Sequence, residues 1–195
     1  MSAAFILGNG NSRLSVDLDA LTPLGTTYGC NWIFKEYTPN VLIATDRAIA
    51  DHIQETGYAQ KNRFHTRKPV VDLGGKGLSN DYKGFSSGPN AAAMSCIDGH
   101  TDIYLLGMDL GTTNGMFNNI YADWQFNKKK RDPPTFAGNW INQIVKLTED
   151  YPNRQFYRVE GIESAFVKQF NKIDNMKILS MDKFLEMVNT ARGPL

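Results

Sequence analysis

Four short apolar runs in this chain each stop at a polar amide or carboxyl. Ala4-Phe5-Ile6-Leu7 leads into Gly8-Asn9-Gly10-Asn11-Ser12, and Thr26-Thr27-Tyr28-Gly29-Cys30 leads into Asn31. Val41-Leu42-Ile43-Ala44-Thr45 stops at Asp46, and Asp102-Ile103-Tyr104-Leu105-Leu106-Gly107 leads into Met108-Asp109. Continuous apolar runs of this kind are how strands buried on both faces of a parallel sheet read. In an open parallel sheet the strand ends lie along one edge, where ligands bind. The pattern predicts an α/β fold whose ligand edge carries Asn9, Asn31, Asp46 and Asp109.

The first of these ends is the richest. Strand, glycine-punctuated turn and new element is how α/β proteins present backbone N–H groups to a phosphate or sugar. Gly8 and Gly10 allow a tight turn and a close ligand, and the amides of Asn9 and Asn11 both donate and accept. A plain Gly/Asn turn after an edge strand has the same sequence, so both readings stand.

Composition narrows the class. The chain has 195 residues, 42% hydrophobic and 21% charged, enough for one globular domain with a sizeable core. A net charge of +1 offers no broad nucleic-acid footprint. Cys30 and Cys96 sit in apolar surroundings and read as buried free thiols in a reducing compartment. No run approaches the roughly 20 apolar residues of a membrane span, and the start lacks the marks of a signal peptide. The expectation is a cytoplasmic protein that binds no membrane.

Along the chain, Asp17 to Leu21 reads as a short helical turn, and Asp46 as the cap of a helix from Arg47 to Thr56. Gln60 to Lys68 is polar and basic, Val70 to Leu73 reads as a short strand, and Gly74 to Gly77 as a solvated loop. Ser87 reads as the cap of a small-residue helix from Ala91 to Asp98. Residues 112–135 carry no apolar period, and a loop of that length is a functional lid or a disordered segment. Its run Lys128-Lys129-Lys130-Arg131 is either solvated or an anion site. Helices are expected over Phe136 to Tyr151, Glu163 to Phe170 and Met181 to Ala191, with strands at Gln155 to Val159 and Met176 to Leu179. No repeat or linker divides residues 1–195, so one domain with a mobile loop at 112–135 is expected.

In order, Leu7 to Ser12, Gly29-Cys30-Asn31, the strand ending at Asp46, Ser86-Ser87-Gly88 and Asp102 to Asp109 resemble the bacterial lipooligosaccharide sialyltransferases. They also resemble the wider glycosyltransferase-like group that includes flagellin-associated and hydroxymethylpterin-pyrophosphokinase-like proteins. The chain is similar over most of its length to uncharacterised tailed-phage proteins. These motifs span about residues 4–110. The resemblance implies a single-domain, Rossmann-like, mostly parallel sheet with helices on both faces. It implies sugar transfer to a hydroxyl acceptor without a metal or other cofactor, from a nucleotide-sugar such as a CMP-sugar. By that resemblance the donor would be held by Gly8, Asn9, Gly10, Ser12, Asn31, Ser87 and Gly88.

Three departures qualify the likeness. Asp46 stands where the sialyltransferases have asparagine. The lid tyrosine falls near Gly111, with Phe117 and Tyr121 the nearest aromatics. The histidine used there as general base follows the strand that ends here at Asp109, and no histidine follows His100. Asp46 or Asp109 is the candidate catalytic substitute if desolvated, since burial raises a carboxyl pKa; Asp109 reads equally as a turn cap. His65 and His100 read as surface or cap residues. The alternative function is a non-catalytic phage structural or host-interaction protein retaining the fold, as a homo-oligomer or with virion or host protein partners, in the host cytoplasm or the virion. A transferase acting on a nucleotide or pterin diphosphate is a third reading.

Overall fold

A computed structural model describes residues 3–193. Its strands are β1 (Ala3–Leu7), β2 (Thr26–Cys30), β3 (Val41–Ala44), β4 (Phe64–Thr66), β5 (Lys76–Gly77), β6 (Asp102–Leu106), β7 (Gln155–Glu160) and β8 (Met176–Ser180). They form one sheet in the order β5-β4-β3-β2-β1-β6-β7-β8, and every neighbouring pair is parallel. The chain builds outward from β1 to β5, then returns past β1 to build β6, β7 and β8. The order reverses between β1 and β6, the place where such sheets open a crevice. This is an α/β, Rossmann-like fold.

Alternation along each strand assigns the two faces. Ala4 and Ile6 join Tyr28, Ile43, Leu105 and Phe156 in one core, covered by α3 (Ser87–Ile97) and α4 (Gly138–Asp150). Phe5 and Leu7 join Leu42, Phe64, Leu106 and Val159 in the other. That second face is covered by α1 (Arg47–Glu55), α5 (Met181–Arg192) and the 3-10 turns Asp19–Leu21 and Asn31–Lys35; a further 3-10 turn, Asn11–Ser15, follows β1. The short helix α2 (Tyr58–Lys61) follows α1. Ala91, Ala92 and Ala93 are buried, and their small side chains let α3 lie close along the sheet. Each fully buried Leu, Ile or Phe of these cores contributes about 1.5–3 kcal/mol.

Four local expectations are corrected. Val70 to Leu73 is no strand; Val71–Leu73 is a 3-10 turn, while β4 and β5 lie in stretches read as basic or as loop. These end strands are short and partly polar, so no apolar run announces them. Glu163 to Phe170 forms no helix; Ala165 N–H donates to the Asp109 carbonyl and Arg158 Nη2 donates to the Ala165 carbonyl, drawing the segment across the strand ends. Helix α3 starts at Ser87, one turn before Ala91, with Ser86 at the cap position. Asp46 precedes α1 but its side chain makes no capping bond. Ser180 does cap α5, accepting from Lys183 N–H. Among the described residues no helix is long and apolar enough to cross a membrane.

Candidate functional site

β1 and β6 leave the sheet side by side, with Leu7 opposite Leu106. Their turns then hold each other: Gly8 N–H donates to the Leu106 carbonyl at 2.8 Å and Gly10 N–H to the Gly107 carbonyl at 2.8 Å. A Cβ at Gly8 would lie 2.6 Å from the Gly107 oxygen, so this contact requires glycine. Asn11 N–H donates to Asn118 Oδ1 at 2.8 Å, and Ser12 N–H to Asp109 Oδ2 at 3.1 Å. The expectation that this turn offers its N–H groups to a ligand is therefore corrected. Those of Gly8, Gly10, Asn11 and Ser12 are all used within the protein.

Asp109 is the anchor of this arrangement. It is 3% exposed, and its carboxylate accepts from Ser12 N–H and Oγ, from Asn118 Nδ2 at 3.0 Å and from Ser164 Oγ at 3.0 Å. Beneath it the fully buried Arg158 donates to the carbonyls of Met108, Asp109 and Ala165 and to Glu160 Oε1. Arg13, also buried, donates from Nε to the Gly8 carbonyl at 2.8 Å and from Nη2 to Tyr121 Oη at 3.1 Å. Asp109 and Gly10 border a recess of about 40 Å³. Ser12 lies in the bonded network under the turn.

The remaining candidates converge. Gly8, Asn9, Asn31, Asp46, Ser87 and Gly88 line one cleft of about 340 Å³ at the ends of β1, β2 and β3 and the start of α3. Asn31 holds a left-handed backbone, φ 53°, a conformation that Asn adopts more readily than most residues. Its Oδ1 accepts from Ser87 Oγ at 3.1 Å, while Ser87 Oγ accepts from Thr45 N–H at 3.0 Å and contacts Thr45 Oγ1 at 3.0 Å. The Ser87 hydroxyl is thus satisfied within the protein and ties the ends of β2, β3 and α3 together. Asn9 Nδ2 donates to the Cys30 carbonyl at 3.2 Å, but its buried Oδ1 has no partner. Asp46 is exposed, so the desolvation expected of a base at this position is not met in the free protein, and among the described residues its carboxylate has neither a hydrogen bond nor an ion pair. Cys30 also borders the cleft as a buried free thiol, which burial pushes up to about 12, so it stays protonated.

Two features of the cleft escaped the sequence. Arg67, just after β4, donates from Nε and Nη2 to the carbonyls of Lys83, Gly84 and Phe85, the residues leading into α3. That fixes the guanidinium of Arg67, which lines the cleft, and none of these bonds uses Nη1. At the start of α3, the Ser87 and Gly88 N–H groups precede the first intrahelical bond, in which Asn90 N–H donates to the Ser86 carbonyl. Charge and helix dipole make Arg67 and the start of α3 a positive group in the cleft. Asp46, the negative group, lines the same cleft and shares a neighbouring cavity of about 220 Å³ with Arg67.

None of His52, His65 and His100 lines the cleft. Among the described residues no group of three or more His, Cys, Asp or Glu side chains is arranged to hold a metal. The segment 112–135 has no helix or strand, as expected, but its middle is anchored. Ile120 N–H donates to the Asn9 carbonyl at 2.8 Å, Tyr121 is fully buried, and Gln125 accepts from Trp32 Nε1 at 3.0 Å. The comparisons found no match to this chain among protein-family models, curated proteins or solved structures.

Proposed function

We propose that the cleft binds a nucleotide-sugar and that the protein is glycosyltransferase-like, passing the sugar to a hydroxyl acceptor without a metal. The carrying observation is one cleft lined by two chemically different sets of groups. Arg67 Nη1 and the first N–H groups of α3 suit a phosphate, because charge-assisted and helix-terminal donors favour anions. Asp46 and the amides of Asn9 and Asn31 suit hydroxyls, which donate to a carboxylate and accept from an amide.

In the transfer the acceptor oxygen forms a bond to the anomeric carbon and gives its proton to Asp46. The bond from that carbon to the phosphate oxygen breaks, and its electron pair leaves with the nucleotide. Arg67 and the start of α3 stabilise the charge growing on that phosphate. Asp46 is the base because Asp109 is committed to the turns. The CMP-sugar donor and the phage setting rest on the family resemblance described above.

A second reading is a non-catalytic protein that keeps the cleft for binding, with a structural or host-interaction role. The absence of histidine from the cleft favours it. A thermal-shift screen of nucleotides and nucleotide-sugars tests the first reading. A ligand present at 100 times its Kd stabilises the folded state by about 2.7 kcal/mol. A flat response across CMP-, UDP- and GDP-sugars at millimolar concentration would overturn it.

A further inference from the structure

Next to the cleft lies a second cavity, of about 120 Å³, lined by Asn31, Trp32, Asp46, Phe126 and Asn127 among others. It shares Asn31 and Asp46 with the cleft, so Asp46 stands between the two spaces. Two of its walls are the rings of Trp32 and Phe126, and further aromatic rings pack behind Trp32. The Trp32 ring centroid lies 5.1 Å from His52, 5.5 Å from Trp124 and 6.0 Å from Phe34. Phe126 lies 6.2 Å away with its ring within 13° of parallel. Trp32 is buried and its Nε1 is committed to the Gln125 carbonyl, whereas Trp124 and Phe126 remain 39% and 49% exposed.

Phe126 is held in a conformation that costs energy. Its φ is 66°, a left-handed value rare for a bulky side chain. Strain of this kind, of order 1–3 kcal/mol, persists where surrounding structure enforces it, and such residues gather at ligand sites. Here it keeps a half-exposed ring over a cavity.

The polar groups facing this space select the ligand. Asp46 is an unpartnered acceptor. Asn31 uses Oδ1 for Ser87, leaving its Nδ2 as a donor. Asn127 uses Nδ2 for the Tyr121 carbonyl at 2.8 Å, leaving its Oδ1 as an acceptor. No Lys or Arg lines the cavity, so a phosphate or carboxylate has no counter-charge there. A group with apolar C–H faces and hydroxyls that both donate and accept fits: its C–H bonds meet the negative faces of the rings and its hydroxyls meet the amides and carboxylate.

We infer that this cavity binds a neutral pyranose ring and is the acceptor subsite, placing an acceptor hydroxyl against Asp46. The acceptor role rests on the nucleotide-sugar reading of the neighbouring cleft; the binding of a neutral sugar does not.

The test titrates the whole protein with methyl glycosides of glucose, galactose and mannose and with N-acetylglucosamine, up to about 100 mM, the weak-binding range of single rings. Tryptophan fluorescence and saturation-transfer NMR report binding, and CMP and UDP are titrated separately. At least one glycoside should bind wild type. Phe126→Ala should weaken it about tenfold or more, with nucleotide affinity held within about twofold. Phe126→Leu, which keeps apolar bulk without the ring, should also weaken it, and Val71→Ala on the far β4–β5 connection should not.

Glycoside binding without nucleotide binding supports the sugar cavity and removes the nucleotide-sugar reading. Nucleotide binding with no glycoside response overturns the inference and leaves that reading in place. Equal glycoside binding by wild type and Phe126→Ala, or displacement of the glycoside by an uncharged nucleoside in preference to a second glycoside, also overturns it.

Discussion

Ser87 Oγ, in the first turn of α3, donates to Oδ1 of Asn31, the residue that follows β2, at 3.1 Å. The same oxygen accepts from the buried Thr45 N–H. Ser87→Ala removes both bonds and leaves that N–H unsatisfied, which costs about 1–3 kcal/mol. For a chain of this size, about 2–4 °C is lost per kcal/mol. A melting temperature about 2–12 °C lower is expected by calorimetry, and an unchanged melt would show that the ends of β2 and β3 and the start of α3 do not depend on this hydroxyl.

Asn31 itself separates backbone from side chain. At φ 53° glycine is unstrained, whereas alanine carries a left-handed penalty of roughly 1–2 kcal/mol. Asn31→Gly should therefore be more stable than Asn31→Ala by about 1 kcal/mol. Both lose the amide, so both should raise the dissociation constant for the nucleotide by about threefold to a hundredfold. Asn9→Ala should do the same. Full affinity in Asn31→Gly would mean that only the backbone of this corner matters.

Asp46→Asn distinguishes base from ligand. It keeps the shape of the side chain and removes its ability to take a proton. Release of nucleotide from the nucleotide-sugar in the presence of acceptor should fall by about 10²–10⁴-fold, the usual worth of a positioned base. Donor affinity, read by calorimetric titration, should change by less than about threefold. If turnover survives while affinity falls, Asp46 is a hydroxyl ligand and the proton goes elsewhere.

The parallel sheet was legible because its inner strands are buried on both faces. Ala4 to Leu7, Val41 to Ala44 and Asp102 to Leu106 are apolar runs with little interruption. Of the nine site residues expected from the run ends and from the family resemblance, six share one cleft. Ser12, Gly10 and Asp109 differ for a reason that spacing does not record. Polar groups at strand ends can bind a ligand or one another, and these are joined through Ser12 and Asp109. Arg67 and Phe126 were illegible because neither sits on a periodic element. Arg67 is placed by three loop carbonyls, and Phe126 by packing on Trp32 from a segment 93 residues further along in its nearest hydrogen bond. The helix expected over Glu163 to Phe170 lost to the long-range bonds at Ala165.

Asn118 is the stitch between the 112–135 segment and the first turn. Its Oδ1 accepts from Asn11 N–H, and its Nδ2 donates to Asp109 and to the Gly111 carbonyl. Asn118→Ala should loosen the segment without unfolding the sheet. Hydrogen exchange at Asn11 and Ile120 should quicken by about tenfold or more, as the loss of about 1.4 kcal/mol of local protection implies. Trypsin should cut faster within Lys128 to Arg131. Equal exchange in both proteins would place the anchor at Tyr121 and Trp124 instead.

His65 makes stability depend on pH. Its Nδ1 lies 2.8 Å from the Gly77 carbonyl and its Nε2 accepts from Arg63 Nε at 3.1 Å, so the ring is neutral with the proton on Nδ1. Burial lowers its pKa below the ordinary histidine value; Arg63 and Lys76 add to this, and the Gly77 bond and Asp98 oppose it. The unfolded chain then binds a proton that the folded protein resists. Stability from this residue is fully present above the ordinary histidine range near pH 6.5 and is lost as pH falls from there towards the lowered folded value. Protonated Nε2 would also face Arg63, whose Nη1 and Nη2 hold Asp98 at 2.8 and 2.9 Å, so the β4–β5 edge should weaken first. Urea midpoints at pH 7.5 and 5.5 should differ more in wild type than in His65→Gln, which cannot titrate. Equal differences would show that His65 does not set the pH dependence.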